Sequence, residues 1–308
     1  MTRSPNRTAI ERGLVPFLRE HYARSQKSVR SDEWINTFAI RPLAALFVWG
    51  FFLLRWKPVW VVWLGGLVGT AAALALVALP GERGLIWGGW LLLLKNVLDA
   101  ADGQLARATG QVDRIGRFAD SIADFWVNLW VPLATALLLA SRFGLGPALA
   151  LGLLTALCLM LQCSLFVFYQ VGFLAAVGKS PVNRTDESVR PEDTLASPLE
   201  RRLQALYLQL YGWQDRWIAA VDAALRRLCG VRSESARERW VSDPVALRLT
   251  SFLGLGTSLT GFALALLLRR PDLALAWVLL VLNGVALLSL LYRALVLRSR
   301  AHGTGGAS

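Results

Sequence analysis

The stretch Leu91–Asp124 reads LLLLKNVLDAADGQLARATGQVDRIGRFADSIAD. An apolar run leads directly into two carboxylates, Asp99 and Asp102, and two more, Asp120 and Asp124, open the next apolar run. Steps of three and four residues place side chains on one face of a helix. Two antiparallel helices joined by a short link would therefore bring all four carboxylates together.

Carboxylates at membrane depth cost about 2.5–3.5 kcal/mol each. Four of them beside Arg107 require more positive charge, and hard divalent cations with oxygen ligands supply it. The pattern predicts a site for two Mg²⁺ or Mn²⁺ ions, which would hold a pyrophosphate. Arg107 would donate to phosphate oxygens, and Gly103 and Ala106 would leave space for a nucleotide. Asp113, in the polar link, is predicted to be a solvated turn carboxylate or a helix cap and not a metal ligand.

Two polar residues precede the carboxylates on the same predicted helix. Lys95 lies one turn before Asp99. It would either contact the phosphate of a donor substrate or balance the acidic charge, and both interpretations stay open. Asn96 is expected to form hydrogen bonds between helices.

The spacing Asp99-x2-Asp102-Gly103-x2-Ala106-Arg107-x8-Gly116-x3-Asp120-x3-Asp124 resembles the signature of the CDP-alcohol phosphatidyltransferase family at every fixed position. The resemblance implies a dimeric, six-span membrane enzyme with a metal site open to the cytoplasm. Such enzymes cleave a CDP-alcohol, release CMP and transfer the phosphoryl-alcohol unit to a second hydroxyl.

The resemblance also implies roles for individual residues. Asp124 would act as the general base that accepts the acceptor's proton. Gly116 would permit close approach of helices. The metal ligands would be Asp99, Asp102, Asp120 and Asp124, and the CDP contacts would be Asp102, Gly103, Ala106 and Arg107.

Two regions leave the substrate contacts open. Many family members begin the first span with a Pro-Asn-x-x-Thr-like segment, whereas this chain has apolar residues at both polar positions of Pro58–Val62. Members with phosphorylated acceptors carry additional arginines near spans four and five. Lys179, Arg184 and Arg248 occupy those places here, although the topology alone would also put basic residues there.

The composition agrees with a membrane protein. The chain has 308 residues, of which 55% are hydrophobic and 18% charged, and a net charge of +12. These values exclude a disordered acidic protein, a disulfide scaffold and a simple cytosolic enzyme. Because membrane topology explains the basic excess, no nucleic-acid partner is expected.

Six apolar runs are long enough to span a bilayer, which takes roughly 20 residues. An interrupted seventh run, Trp34–Trp56, is predicted to form an amphipathic helix along the interface. With six spans, 27 Lys and Arg flank one side and four the other, which places both termini in the cytoplasm. The predicted spans are Val59–Leu79, Gly84–Leu105, Phe118–Ala140, Pro147–Val177, Val245–Leu268 and Leu273–Leu297.

The predicted organisation is all-α. It comprises a cytoplasmic tail (1–33), the interfacial helix (34–56), spans one to four with the motif (57–178), a cytoplasmic insert (179–244), spans five and six (245–298) and a flexible tail (299–308). In the insert, apolar residues at helical spacing predict an amphipathic helix from Ser197. It would pack on the interface or on its own domain, and the alternative is a helix that docks a partner protein. The expected location is a bacterial inner membrane.

The residues leave several functions open. CDP-diacylglycerol is the expected donor, and a small or lipid alcohol the acceptor. Transfer of a CDP-linked head group to a lipid hydroxyl would use the same motif. A UbiA-type prenyltransferase also uses Asp-rich motifs, but far apart in sequence and without Gly-x-x-Ala-Arg. A cation transporter would distribute its acidic groups through the membrane depth.

Overall fold

A computed structural model describes residues 32–178, 187–190 and 197–297. All regular structure in these residues is helical, which confirms the predicted all-α class. A short helical turn, Ala140–Phe143, joins the fourth helix to the fifth. The helices are α1 (Asn36–Leu53), α2 (Pro58–Ala78), α3 (Glu82–Thr109), α4 (Arg114–Leu137), α5 (Leu145–Ala176), α6 (Pro198–Leu210), α7 (Gly212–Leu228), α8 (Glu234–Ser242), α9 (Pro244–Ser251), α10 (Leu255–Leu267) and α11 (Pro271–Leu297).

Local signals fix the boundaries of the helices that carry the motif. Gly110 ends α3 with a positive φ of 68°, a conformation that glycine adopts without strain. Asp113 then begins α4, since its side chain accepts a hydrogen bond of 2.7 Å from the amide of Gly116. Of the two predicted roles, Asp113 therefore has that of a helix cap, which separates it from the other carboxylates of the motif.

Within residues 32–178, 187–190 and 197–297, four helices are long and apolar enough to cross a membrane: α1, α2, α5 and α11. The pair α9 and α10, bent by 42°, would make a fifth span. The helices α3 and α4 match the second and third predicted spans in position. Because they carry the charged residues of the motif, they are more polar than the four helices named above and do not meet the same criterion. The count of six spans therefore stays a proposal, as does the interfacial orientation of α1, which meets the same criterion as the spans.

The fifth predicted span, Val245–Leu268, is broken rather than continuous. Its two helices meet at Phe252–Gly254. At the break, the carboxylate of Glu33 accepts a hydrogen bond of 2.6 Å from the amide of Thr257 and one of 2.8 Å from its hydroxyl. Glu33 thus satisfies the first free amides of α10, which is what allows a new helix to begin inside an apolar run.

The motif helices pack in a group with α2, which contacts both α3 and α4. Small residues on α2 make this possible. Gly66 faces Ala123 of α4, and Gly69 lies against both Val127 of α4 and Lys95 of α3. On the far side, α1 and α10 pack against α3, and α5 packs against α4. The motif is therefore enclosed by helices from both halves of the chain.

The predicted insert helix consists of two helices, α6 and α7, which meet at Tyr211. The Ser197 side chain begins α6 by accepting a hydrogen bond of 3.2 Å from the amide of Glu200. The helix α6 packs on α4, and α7 packs on α5. The insert therefore lies beside the membrane helices rather than apart from them.

Candidate active site

Three carboxylates of the motif meet where α3 and α4 face each other. Asp99 of α3 and Asp120 and Asp124 of α4 each place a carboxylate oxygen within 4.8 Å of the others. The arrangement follows from the i, i+4 spacing of Asp120 and Asp124, which puts both on the face that α4 turns toward Asp99. The structure thus brings together these three predicted metal ligands.

Asp102, the fourth predicted ligand, lies one turn further along α3 and is buried. Its Oδ2 atom accepts no hydrogen bond from any residue in the described part of the chain. A buried carboxylate oxygen without a donor is costly and calls for a cation. Together with the oxygen-only donors of the other three aspartates, this orphaned atom makes the group suitable for a hard divalent ion such as Mg²⁺ or Mn²⁺.

Lys95 supplies positive charge to the carboxylates. Its ammonium group lies 3.3 Å from Asp99 Oδ1 and forms a second ion pair with Asp124. The side chain of Lys95 is 2% exposed. These contacts favour the interpretation that Lys95 balances the acidic charge. Gly69 of α2 makes room for the lysine, because a Cβ atom at that position would lie 3.3 Å from Lys95 Cγ.

The residues predicted to contact CDP follow on the same helix. A Cβ atom at Gly103 would lie 3.2 Å from a terminal guanidinium nitrogen of Arg107, so glycine lets the arginine fold back along α3. Ala106 is half-buried. The close neighbour of Gly116 is its own cap, since a Cβ there would lie 3.2 Å from Asp113 Oδ1.

The apolar segment Pro58–Val62 contributes to the packing of the motif helix. Val62 is buried in a small cluster with Ala119 and Ala123, the residues that precede Asp120 and Asp124 on α4. Valine at this position therefore supports the helix that carries two carboxylates. Sequence reasoning treated this segment as a departure from the family pattern and missed this packing role.

The side chain of Asn96 forms the predicted hydrogen bonds between helices and links α3 to α10, in the second half of the chain. Asn96 is buried and donates hydrogen bonds of 2.9 Å to the carbonyl of Gly256 and the hydroxyl of Thr260. Both partners lie on α10, just after the break capped by Glu33. Asn96, which directly follows Lys95, therefore fixes the distance between α3 and α10.

The insert holds the beginning of α4. Glu187, whose side chain is fully buried, pairs with Arg117 and, at 3.2 Å, with Arg114. The Tyr211 hydroxyl donates a hydrogen bond of 3.0 Å to the carbonyl of Ser121, between Asp120 and Asp124 in sequence. Burial raises the pKa of Tyr211, which keeps this hydroxyl neutral and able to donate.

The residues predicted for the acceptor are only partly described. Lys179 and Arg184 lie outside the described residues. The guanidinium of Arg248, on α9, lies over the ring of Trp34, 5.5 Å from its centroid. This cation–π contact joins α9 to the residues just before α1.

Comparison with known proteins identifies the class. A family model described as CDP-alcohol phosphatidyltransferase matches residues 57–226, more than half of the chain. The chain belongs to the CDP-alcohol phosphatidyltransferase family. It is an integral membrane enzyme of the kind that transfers head groups in phospholipid synthesis. A search of curated proteins finds no match.

Proposed function

We propose that this protein transfers a phosphatidyl group from CDP-diacylglycerol to an acceptor alcohol and releases CMP. The observation that carries the proposal is the meeting of Asp99, Asp120 and Asp124 between two helices of a membrane protein, with the orphaned oxygen of Asp102 nearby. Family membership supports a CDP-alcohol donor and an alcohol acceptor in general. A donor carrying acyl chains fits a site on helices that border lipid.

In this proposal Asp99, Asp102, Asp120 and Asp124 hold two Mg²⁺ or Mn²⁺ ions. When bound, the ions would neutralise the pyrophosphate charge and stabilise the attacking and leaving oxygens. The acceptor oxygen forms a bond to the phosphorus that carries the diacylglycerol unit, and the bond from that phosphorus to the CMP oxygen breaks. Asp124 takes the proton of the acceptor hydroxyl.

The nucleotide side of the site is assigned to α3. Arg107 would donate hydrogen bonds to the phosphate oxygens, with Gly103 and Ala106 leaving space for the CDP moiety. Asp102 would contribute to the same region. Gly116 would permit close approach of helices.

We propose that α2, α3, α4, α5, the α9–α10 pair and α11 are the six spans. In this arrangement both termini and the active site face the cytoplasm of a bacterial inner membrane, and α1 lies along the interface. The 27-to-4 distribution of Lys and Arg supports the orientation. We also propose that the protein forms a homodimer and that its domains divide at the boundaries predicted from the sequence.

We assign the acceptor site to three basic residues near spans four and five. Lys179, Arg184 and Arg248 would bind a phosphorylated acceptor from the cytoplasmic side. Arginine and lysine near the ends of two spans are suitable for a phosphate, although their positions also follow from the topology.

A membrane assay with labelled CDP-diacylglycerol tests the function. Membranes containing the protein are incubated with Mn²⁺ and a panel of acceptors (glycerol 3-phosphate, inositol, inositol phosphate and serine), and CMP release and lipid product are measured. We expect both to depend on one acceptor and to be absent from the Asp124→Asn variant. Product from a CDP-linked head group and diacylglycerol, with none from CDP-diacylglycerol, would establish the reverse arrangement instead.

A further inference from the structure

The insert helices α6 and α7 turn their apolar residues outward. Over Pro198–Leu228, none of the nine leucine, valine and tryptophan residues on the predicted apolar face is buried. Trp213 is 43% exposed and Trp217 52%. Leu225 packs against the protein core, and the other eight residues form what we term the outer face: Leu199, Leu203, Leu206, Leu210, Trp213, Trp217, Val221 and Leu228.

The side that faces the protein carries buried polar groups beside the apolar Ile218. Gln214 is fully buried and accepts a hydrogen bond of 3.0 Å from the Ser164 hydroxyl of α5. Asp222 is also buried and accepts hydrogen bonds of 2.8 Å from the Tyr169 hydroxyl and the Trp240 indole. With polar groups satisfied on the inside and apolar groups outside, α6 and α7 have the orientation expected of helices whose outer surroundings are apolar.

The position of α7 along α5 places it near the boundary of a bilayer. The helix α5 has 32 residues, or about 48 Å, against a hydrocarbon thickness of about 30 Å. Its hydrogen bonds with α7 lie at Ser164, about 29 Å from Leu145 at its first turn, and at Tyr169, further toward its C-terminal end. Because this distance is close to the hydrocarbon thickness, α7 contacts α5 where a span that starts at Leu145 would leave the hydrocarbon.

The charges of the outer side fit lipid head groups. Over Pro198–Leu228 the exposed charged residues are all arginines: Arg201, Arg202, Arg216 and Arg227. The acidic residues of these helices are half-buried or buried. Tryptophan and arginine on one outer surface are typical of helices at a membrane interface, where indole rings lie at head-group level and arginines attract anionic lipids.

We propose that α6 and α7 lie in the head-group region of the leaflet at the C-terminal end of α5. The outer face contacts acyl chains, and the arginines contact anionic head groups. The inference concerns the surroundings of the insert and does not depend on the reaction proposed above. Through the Tyr211–Ser121 hydrogen bond, the same helices hold the segment of α4 that carries Asp120 and Asp124.

Spin labels test the depth of the outer face. The native cysteines Cys158, Cys163 and Cys229 are replaced by alanine, and single cysteines are introduced at Trp217, at Leu67 and at Glu238. Leu67 is an exposed residue in the middle of α2, and Glu238 is an exposed residue of α8. Each labelled protein is placed in nanodiscs containing phosphatidylglycerol, and relaxation by oxygen and by a water-soluble nickel chelate is measured.

We expect the spin label at position 217 to collide more often with oxygen than with the nickel chelate. Its depth in the bilayer should lie between the depths of the labels at positions 67 and 238. Nickel accessibility at 217 equal to that at 238 would overturn the proposal, because the outer face would then lie in water. Shielding from both reagents would also overturn it, because a second copy of the chain would then cover the face.

A photocrosslinking measurement avoids replacing the native cysteines. Benzoylphenylalanine is introduced in place of Trp217 in the full chain, irradiated in the same nanodiscs and analysed by mass spectrometry. A phospholipid adduct at 217, absent when the same residue replaces Glu238, is the expected result. A protein dimer adduct, or no adduct in a folded protein, contradicts the proposal.

Discussion

Lys95 of α3 and Asp124 of α4, 29 residues apart in sequence, form an ion pair between the two helices that carry the motif. The ammonium group also lies 3.3 Å from Asp99. One lysine therefore joins a proposed metal ligand to the proposed general base and fixes how the two helices align. The acidic group thus contains a permanent cation that belongs to the protein itself.

Removing this cation should make the protein depend more on added metal. In Lys95→Met the carboxylates of Asp99 and Asp124 lose their shared counter-charge, and breaking a buried pair costs about 3–5 kcal/mol. We expect a lower melting temperature in EDTA and a larger increase on addition of Mn²⁺ than in the wild type. Thermal unfolding in detergent measures both, with the exposed Lys57→Met as control. Equal stability of Lys95→Met and wild type in EDTA would contradict the balancing role.

Asp124→Asn should abolish turnover without abolishing nucleotide binding. The amide cannot take the acceptor proton, and loss of a general base costs about 10²–10⁴-fold in rate. We expect kcat to fall by this amount while CDP still raises the melting temperature. The matched control is Asp113→Asn, since asparagine also caps helices well. Normal turnover in Asp124→Asn would show that another group accepts the proton.

Asp99→Asn should weaken metal binding directly. Disturbing even an outer partner of a metal ligand costs about 10–100-fold in affinity. We therefore expect at least about a tenfold higher Kd for Mn²⁺, measured from the free-ion signal in electron paramagnetic resonance, and an unchanged Kd for Asp113→Asn. An Asp99→Asn titration that superimposes on that of the wild type is incompatible with Asp99 as a ligand.

Gly69→Ala should destabilise the helix group around Lys95. The added methyl group would overlap Val127 of α4 and approach Lys95 Cγ to 3.3 Å, and overpacking of this kind costs about 1–3 kcal/mol. Gly50→Ala on α1 provides the control, because no atom lies within 4 Å of its added Cβ. Thermal unfolding should show a loss of stability in Gly69→Ala and none in Gly50→Ala.

The buried carboxyl group of Glu33 should make the free energy of unfolding depend on pH. Burial raises the pKa of Glu33 from 4.5 to about 7, against the lowering effect of its hydrogen bonds with Thr257. Because the folded state holds this proton more tightly than the unfolded state, the contribution of Glu33 to stability is greatest below pH 4.5 and declines as the pH rises to about 7. The full decline is on the order of 3 kcal/mol.

The Glu33→Gln variant removes this titration. Its melting temperature, measured from pH 5 to pH 8, should change less than that of the wild type over the same range. Asp32, the neighbouring carboxylate, pairs with Arg41 and stays in place as an internal comparison. Parallel profiles for the two proteins would mean that Glu33 does not titrate in this range.

The sequence predicts the local parts of the site well. The spacing of the four aspartates places them on facing stripes of two helices, and Asp113 caps a helix, one of its two predicted roles. Both features depend on residues a few positions apart, so helical geometry alone determines them. Asn96 was expected to join helices, but its partners on α10, 160 and 164 residues away, depend on tertiary packing.

Two features cannot be predicted from local sequence. One depends on a residue far away in the chain, and the other depends on whether protein or lipid surrounds a helix. The break in the run Val245–Leu268 is capped by Glu33, more than 200 residues earlier. Gly254 and Gly256 mark the position of the break, but nothing within the run identifies its cap. The helical period of the insert identified the residues that share a face. It did not show whether that face contacts protein or lipid, since apolar residues suit both environments.

The hydrogen bonds between Glu33 and Thr257 join residues that lie 224 positions apart in the sequence. During synthesis the helix α1 emerges long before α10 exists, and the carboxylate of Glu33 has no helix terminus to cap until then. The active-site helices are thus made and inserted first, and the contact that encloses them from the other side forms late. Assembly of this enzyme can be complete only once α10 has left the ribosome.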